Sequence, residues 1–287
     1  MSISTITKSK NPNSIKALAL DLDGTTLAPG GLLSERSIRT IDKCMQRGLK
    51  VIIATGRAPQ AAEKYRTALG VEGPMIYLNG ALVVDKPGSR TLFSTLLDIK
   101  AMEFCVDLSR ELGIYYQVFF PGDGDDSQVK IMTERDRPER EMYHSKTGMS
   151  IKIADLKEVF YKSDVKGCLK SMFIGEPERL VMLRRRLEEH FSGSVNIVQS
   201  MDNFLEIMNS RASKGQALCF VMELLSLKNE EVIAFGDEEN DLPMFAVAGF
   251  SVAPSSAKDT VKAKADFVTG SNAEDGVAAF LEEFFIL

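Results

Sequence analysis

Three aspartates follow apolar segments at points where a parallel sheet would bring them together. Asp21 and Asp23 come directly after the run IKALAL, and Asp237 follows the run VIAF with one glycine between. Open parallel sheets place their ligands at the carboxyl ends of the strands. Carboxylates gathered there repel one another unless a cation neutralises them, and oxygen ligands without nearby His or Cys favour Mg²⁺. The spacing therefore predicts a magnesium site with open positions for water and a phosphate oxygen.

Asp21 and Asp23 are two positions apart, and Gly24 lets the chain turn after them. One carboxylate could attack a phosphorus atom while the other handles protons, since an aspartate nucleophile can form an acyl phosphate. The residues alone leave open which of the two attacks. The alternative interpretation of DLDGT is a polar turn that ends a strand.

Two further segments offer groups that could bind an anion. Thr55 and Gly56 follow a second apolar run and provide a hydroxyl and an accessible backbone N–H ahead of a predicted helix. Arg57 could reach a substrate or pair with a local acid. Lys214 lies at a predicted helix start, where a cation is unfavourable against the helix dipole. That cost favours a functional role for Lys214 in offsetting the clustered acids, the alternative being a solvated side chain.

The stretch GDEEND places Asp237 at a strand end and Asp241 four residues later. Asn240 could donate to an anion, and Asp241 could orient Lys214 or a metal-bound water. The alternative is an acidic N-cap and first helical turn, which is ordinary. Four such motifs in one order, each placed after a strand or at a helix start, indicate chemistry more strongly than any one alone.

The elements that must position these residues alternate between strand and helix on both sides of a different middle region. This alternation predicts an α/β fold with a doubly wound, Rossmann-like parallel sheet. Ser34 is the predicted N-cap of the first helix, and Gly48 is its predicted end. Predicted strands run from Ile15 to Leu20, Val51 to Ala54, Met75 to Leu78, Val232 to Phe235, Phe250 to Ala253 and Asp266 to Val268; predicted helices run from Gln60 to Leu69, Lys214 to Leu225, Asp241 to Ala246 and Asp275 to Phe285.

The middle region has the pattern of a second domain inserted into the first. The strand-like runs IYYQVFF and KIMTE flank the turn PGDGDDS, and SVNIVQS and FLEIMN flank Met201-Asp202-Asn203, which predicts hairpins among helices. We therefore predict a flexible tail at 1–14, a core formed by 15–84 and 210–287, and an inserted α+β domain at 85–209.

The composition excludes several classes of protein. The 287 residues contain 44% hydrophobic residues, enough for a sizeable core, and the net charge of −5 gives no broad electrostatic footprint for nucleic acid or an anionic membrane. No apolar run approaches the ~18 residues of a membrane span. Four widely spaced cysteines fit core positions in a reducing compartment. With a polar start, MSISTITKSKNPNSI, the cytoplasm is the expected location.

In the order of its motifs, the sequence resembles the haloacid dehalogenase superfamily of phosphotransferases. DLDGT resembles the first motif of that family, ATGR the second, Lys214 the third and GDEEND the fourth. The insertion after the third strand, the pair Asn79-Gly80, FLEIMNSRASKG and EDGVAAFL are similar to the Cof-type branch. The resemblance covers nearly the whole chain beyond the tail.

This resemblance implies a Mg²⁺-dependent phosphatase of small phosphorylated metabolites. Asp21 would be the nucleophile that becomes an aspartyl-phosphate, and Asp23 would protonate the leaving oxygen and then activate water. The resemblance also implies that Mg²⁺ is held by the backbone carbonyl of Asp23 with the side chains of Asp21 and Asp237. The expected phosphoryl-binding groups are the side chains of Thr55, Lys214 and Asn240 and the backbone amides of Leu22 and Gly56, with Asp241, Arg57 and Asn79 in support.

Two other functions remain open at this stage. A phosphosugar mutase uses similar carboxylates but returns the phosphate to its substrate, and a non-catalytic protein could sense phosphorylated ligands. The inserted domain would act as a cap that selects the substrate, with Tyr115, Tyr116 and the loop PGDGDDS as candidates by location. Adjacent strand residues point to opposite faces, so at most one of the two tyrosines faces the site. The expected assembly is a monomer or weak homo-oligomer.

Overall fold

The computed structural model describes residues 11–86, 90–122, 128–162 and 165–287, which form two compact units. The first unit consists of the described residues up to Thr55 together with Ala62–Gly80 and Lys214–Leu287. The second consists of Gly56–Ala61 and the described residues of Ala81–Ser213. Within the described ranges, every helix is too short or too polar to cross a lipid bilayer.

The described residues form strands and helices with the following bounds. The strands are β1 (Ala17–Leu20), β2 (Lys50–Ile53), β3 (Met75–Tyr77), β4 (Leu82–Val84), β5 (Thr91–Ser94), β6 (Tyr115–Pro121), β7 (Val129–Thr133), β8 (Ile151–Ile153), β9 (Lys170–Ile174), β10 (Val195–Met201), β11 (Phe204–Asn209), β12 (Val232–Phe235), β13 (Phe250–Pro254) and β14 (Phe267–Thr269). The α-helices are α1 (Glu35–Gln46), α2 (Pro59–Leu69), α3 (Ile99–Leu112), α4 (Pro138–Thr147), α5 (Leu156–Phe160), α6 (Pro177–Phe191), α7 (Lys214–Leu224), α8 (Leu242–Val247), α9 (Asp259–Lys262) and α10 (Gly276–Phe285).

The first unit is built on a five-stranded sheet in the order β14-β13-β12-β1-β2, with every neighbouring pair parallel. Its central strands β1 and β12 are buried along their whole length, which explains why they are continuous apolar runs rather than alternating ones. Leu20 pairs with Phe235 on one side and Ile53 on the other, so the strands end level with one another. The predicted α/β fold with a parallel sheet is confirmed.

The first helix of this unit begins and ends where the sequence signals predict. The Ser34 side chain accepts a hydrogen bond from the Ser37 N–H at the start of α1, as expected of an N-cap. The chain leaves α1 through Gly48, whose φ is +88°. In the last helix of the unit, Phe280 of α10 contacts three aromatic rings of the sheet, those of Phe235, Phe250 and Phe267. These ring contacts pack α10 against β12, β13 and β14.

An ion pair between α1 and α10 supplies a testable contribution to stability. Arg36 Nη2 lies 2.6 Å from Glu282 Oε2, and the Thr40 hydroxyl donates to Glu282 Oε1 over 2.8 Å. The hydrogen bond from Arg36 lowers the pKa of Glu282 below its ordinary value. We expect Glu282→Gln to lower the unfolding free energy by about 1 kcal/mol at neutral pH, since the side chains are partly exposed.

The pH dependence of this effect has a definite sign. A lowered folded-state pKa contributes stability above the unfolded-state value, near 4.5, and that contribution is lost as the pH falls through the folded-state pKa. Urea unfolding at neutral and acid pH measures it, with the neighbouring exposed Glu283→Gln as the matched control. An equal loss at both pH values would contradict the assignment of the effect to the ion pair.

The second unit contains a six-stranded sheet in the order β10-β11-β9-β6-β7-β8. Its pairs are antiparallel except β7 with β8, and β4 pairs with β5 separately. One sheet face packs on helices α3, α5 and α6 around an apolar cluster that includes Met102, Phe160 and Leu183. The hairpin pairings β6–β7 and β10–β11 confirm the α+β pattern predicted for the middle of the chain.

Several details differ from the sequence analysis. Strands β4, β5 and β8 were not predicted; β5 and β8 are mostly half-buried or exposed and so lack the continuous apolar run that marks β1 and β12. Cys44, Cys105 and Cys168 are buried as predicted, but the prediction is wrong for Cys219, which lies on the exposed side of α7. Tyr116 packs into the apolar cluster, which leaves Tyr115 on the opposite face.

Parts of two predicted segments lie outside the described residues. These are 1–10 of the tail and 123–127 of the loop PGDGDDS. The described end of the tail, Pro12–Ser14, forms a single 3₁₀ turn. The domain boundaries at 14, 84 and 209 stay predictions.

Candidate active site

The turn after β1 is folded by its own backbone and by one threonine. The Asp21 N–H donates to the Phe235 carbonyl of β12, which continues the parallel ladder one residue beyond β1. The Leu22 carbonyl then accepts from the N–H groups of Thr26 and Leu27, while the Thr26 hydroxyl donates to the Asp21 carbonyl over 2.6 Å. The backbone that carries Asp21 is therefore held at the carboxyl end of the sheet before any ligand arrives.

Lys214, the first residue of α7, lies between two of the acids. Its ammonium donates to Asp21 Oδ1 over 2.5 Å and to Asp241 Oδ1 over 2.6 Å, and all three side chains are buried. Gly215 lets α7 approach α8 closely, because a Cβ at this position would lie 2.3 Å from the Pro243 carbonyl oxygen. Asp241 was predicted to orient Lys214 or a metal-bound water, and the structure brings it into contact with Lys214.

Asp237 completes the cluster from the turn after β12. Its Oδ1 accepts a 2.6 Å hydrogen bond from the Thr25 hydroxyl. Gly24 lies beside it with a φ of +84°, and a Cβ there would come within 2.2 Å of Asp237 Oδ2. Asp241 Oδ2 accepts from the backbone N–H groups of Asp237 and Glu238, so one carboxylate both holds this turn and contacts Lys214.

The electrostatics of the cluster show a shortage of positive charge. Burial raises the pKa of Asp21 well above its ordinary value, and Lys214 opposes that shift. Burial, with the charge of Asp241 adding to it, raises the pKa of Asp237 to about 7. Burial acts to lower the pKa of Lys214, but Asp21 and Asp241 outweigh it and the pKa lies above its ordinary value. One ammonium thus faces three carboxylates that favour a further cation.

The donor atoms of these carboxylates are close enough to share an ion. Oxygens of Asp21, Asp237 and Asp241 all lie within 4.8 Å of one another. All are hard oxygen ligands, the type that Mg²⁺ prefers. Burial and carboxylate repulsion both make a divalent cation favourable here, so the donor set fits the predicted metal.

A second group of polar residues surrounds the turn after β2. Thr55 is buried; its N–H donates to the Ile76 carbonyl of β3, and its carbonyl accepts from the Asn79 N–H. Asn79 has a φ of +55°, a left-handed conformation that asparagine tolerates better than most residues. Its Oδ1 accepts a 2.9 Å hydrogen bond from Asn240 Nδ2. Asn79 therefore orients Asn240, a contact that the sequence did not reveal.

The remaining predicted residues are placed less directly. Asp23 is half-buried in the turn after β1, and Asp241 rather than Asp23 is the third member of the carboxylate group. Gly56 and Arg57 directly follow Thr55 in the chain and are counted with the second unit. The roles assigned to these residues stay predictions. Thr25 and Thr26 were not predicted to belong to the site. Their position directly after DLDG, which places two hydroxyl groups beside the aspartates, was the available signal.

Comparison with known proteins finds relatives over nearly the whole chain. A family model described as haloacid dehalogenase-like hydrolase matches residues 18–281. A Haemophilus influenzae protein is 32% identical over 277 residues, covering 94% of this chain and 97% of the relative. A Bacillus subtilis protein named 5-amino-6-(5-phospho-D-ribitylamino)uracil phosphatase is 29% identical over 289 residues, covering 94% of this chain and 98% of the relative.

Solved structures share the whole fold. A crystal structure of a Thermotoga maritima protein superposes with a TM-score of 0.79 at 30% identity, covering 93% of this chain and 97% of that one. A Bacillus subtilis haloacid dehalogenase-like hydrolase gives a TM-score of 0.80 at 27% identity, with coverages of 93% and 99%.

Proposed function

The chain belongs to the haloacid dehalogenase-like hydrolases, in their Cof-type branch, and is a phosphatase; from this premise we propose that it hydrolyses small phosphorylated metabolites, such as sugar phosphates, through an aspartyl-phosphate and with Mg²⁺. The observation that carries the proposal is the contact of the Lys214 ammonium with both Asp21 and Asp241, beside Asp237 at the carboxyl end of the parallel sheet. In the proposal, these side chains serve as the metal-binding carboxylates, the nucleophile and the compensating cation.

Under this proposal, Mg²⁺ is held by the side chains of Asp21 and Asp237 and the backbone carbonyl of Asp23. When bound, the ion neutralises charge that develops on the transferring phosphoryl group. Asp241, which contacts Lys214 and two backbone N–H groups, keeps the surrounding side chains in place.

The reaction then proceeds in two displacements. A carboxylate oxygen of Asp21 attacks phosphorus, the bond to the ester oxygen breaks, and the Asp23 carboxyl gives its proton to that oxygen. Asp23 then accepts a proton from water, the water oxygen attacks phosphorus, and the bond to Asp21 breaks to release inorganic phosphate. Lys214, Thr55, Asn240 and the backbone amides of Leu22 and Gly56 hold the phosphoryl oxygens throughout.

We propose small substrates because one relative is named for a small phosphorylated substrate. The Bacillus subtilis relative is named as a phosphatase of a phosphorylated ribitylamino uracil, a small metabolite with one phosphate monoester. Its alignment spans nearly all of both chains, which includes the second unit as well as the first. This supports hydrolysis over the mutase and non-catalytic alternatives.

A panel of phosphorylated metabolites tests the proposal. Purified protein with Mg²⁺ should release inorganic phosphate from a generic aryl phosphate and from at least one sugar phosphate or similar compound, ranked by kcat/KM. Isomerised hexose phosphate without free phosphate would indicate a mutase. Ligand-induced shifts in melting temperature without turnover across the panel would indicate a binding protein.

Lys214 should be required for turnover. We expect Lys214→Met to lower kcat by roughly 10²–10³-fold, because it removes the charge that faces Asp21 and the phosphoryl oxygens. Thermal melting monitors the fold of the variant, and the exposed Lys264→Met of the same unit is the matched control. Wild-type kcat in a folded Lys214→Met would contradict the proposed role.

The proposal also includes the cellular location and the assembly of the enzyme. All four cysteines are free thiols, which suits a reducing compartment such as the cytoplasm. A monomer or weak homo-oligomer is proposed, and sedimentation over a range of concentrations measures it.

A further inference from the structure

A buried ion pair lies on the second unit's sheet, on the face opposite its apolar cluster. Lys170 of β9 and Glu206 of the neighbouring β11 are 2.9 Å apart, and their side chains are 1% and 3% exposed. The Ser200 hydroxyl also donates to Glu206 Oε1 over 2.9 Å, and the Lys170 ammonium lies 4.7 Å from the centre of the Phe119 ring. The ammonium is thus held in one position by a carboxylate and an aromatic face.

A contribution to the free energy of unfolding does not explain why this ion pair is buried. Removing two charges from water costs about as much as their attraction returns, and apolar replacements of similar volume are often neutral or stabilising. A buried charged pair kept beside the Phe119 ring therefore calls for a partner that needs the charge.

That partner is the backbone of the segment Gly56–Ala61. Lys170 Nζ donates to the Gly56 carbonyl oxygen over 3.2 Å. A second contact fastens the same segment: the Gln60 side-chain amide donates to the Val129 carbonyl over 2.9 Å and accepts from the Val129 N–H over 3.2 Å. The segment is therefore held against the six-stranded sheet of its own unit through Gly56 and Gln60, and Gly56 is covalently joined to Thr55.

We propose that Lys170 is a positioning residue for phosphoryl transfer: its ammonium fixes the Gly56 carbonyl, and Glu206 holds that ammonium in place. This inference rests on the proposed function, in which the Gly56 N–H and the Thr55 hydroxyl hold phosphoryl oxygens. A peptide plane fixed at its carbonyl is fixed in orientation, and the preceding peptide, which carries the Gly56 N–H, follows through one pair of backbone dihedrals. Misplacement of a binding group by about 1 Å can cost roughly 10²-fold in rate.

The carbonyl contact can be observed without any substrate. Gly56–Arg57 is the sole Gly-Arg step in the sequence, so protein labelled with ¹³C-carbonyl glycine and ¹⁵N-arginine gives one coupled signal, that of the Gly56 carbonyl. We expect this ¹³C signal to move upfield when Lys170 is replaced, because the carbonyl loses a charged donor. An unmoved signal overturns the proposal whatever the activity is.

The variants are chosen so that a buried unpaired charge does not confuse the result. Lys170→Met alone removes one charge of a buried pair and keeps the other, so the double variant Lys170→Met/Glu206→Gln removes both charges together. The matched control is Lys157→Met, which breaks a more exposed ion pair with Asp107 in the same unit. Thermal melting shows that each variant is folded before its kinetics are measured.

We expect the double variant to lower kcat by roughly 10- to 10²-fold with KM changed by less than about twofold, and to weaken inhibition by vanadate by a similar factor as kcat. Lys157→Met should match the wild type in all three. If the double variant keeps wild-type kcat, the contact does not position the site and the proposal is wrong. If the wild type releases no phosphate from any substrate, the proposed function fails, and the Gly56 signal alone decides whether Lys170 holds the carbonyl.

Discussion

Asp21→Asn should abolish phosphate release, with kcat lowered by roughly 10⁴-fold or more. The amide has nearly the same shape as the carboxylate but lacks the negative charge needed to attack phosphorus. The Lys214 ammonium keeps its second partner, Asp241, and the turn around Asp21 is held by backbone bonds and the Thr26 hydroxyl. We therefore expect a folded and inactive protein.

The measurement is phosphate release under saturating substrate, with circular dichroism and thermal melting on the same preparation. Asp42→Asn, an exposed aspartate on α1, is the matched control and should retain wild-type kcat. Full activity in Asp21→Asn would reject this residue as the nucleophile. Trapping a phosphoryl group on the wild-type chain but not on the variant would support it directly.

Removal of divalent metal should have the second largest effect, a loss of at least roughly 10³-fold in kcat that Mg²⁺ restores. The reason lies in the protein's own charges, since one ammonium lies among three carboxylates, two of them buried and that of Asp237 half-buried, whose oxygens are within 4.8 Å of one another. Without a cation this negative charge repels the phosphate dianion. Phosphate release is measured after chelation and again after Mg²⁺ is added back.

Metal binding also has a readout that is independent of activity. Mg²⁺ at about 100 times its dissociation constant would stabilise the folded chain by about 2.7 kcal/mol, seen as a rise in melting temperature. Asp237→Asn should lose most of that rise, whereas the exposed Asp42→Asn should keep it. Undiminished activity after exhaustive chelation, together with no melting shift on Mg²⁺ addition, would show that the acidic cluster does not hold a metal.

Much of the first unit was predictable because its signals are local. Buried parallel strands are continuous apolar runs, as β1 and β12 are, and the helix cap at Ser34 and the turn at Gly48 depend on single residues. The same locality explains the omissions. Strands β4, β5 and β8 form because partners elsewhere in the chain are available, and β5 and β8 have no continuous buried run that would mark them locally.

The site likewise has residues that could be predicted from local sequence signals and contacts that could not. Asp21 and Asp237 were grouped from residue type and position after strands, and Lys214 was added as a cation at a helix start. The level strand ends that bring β1 and β12 together follow from the parallel register. The contact of Lys214 with both acids, the hydrogen bond from Thr25 to Asp237 and the pairing of Asn79 with Asn240 required coordinates. These are contacts over long sequence separations, whose partners depend on side-chain direction as well as strand order.

The sequence alone determines which chemical groups this protein carries and which strand ends carry them, because strand periodicity and turn chemistry act over a few neighbouring residues. Tertiary structure alone decided which oxygen faces which ammonium, and that the charges of Lys170 and Glu206 meet in the interior of the second unit. Burial is the physical reason: it strengthens each electrostatic contact and penalises each unpaired charge, and burial is a property of the packed chain rather than of any segment within it.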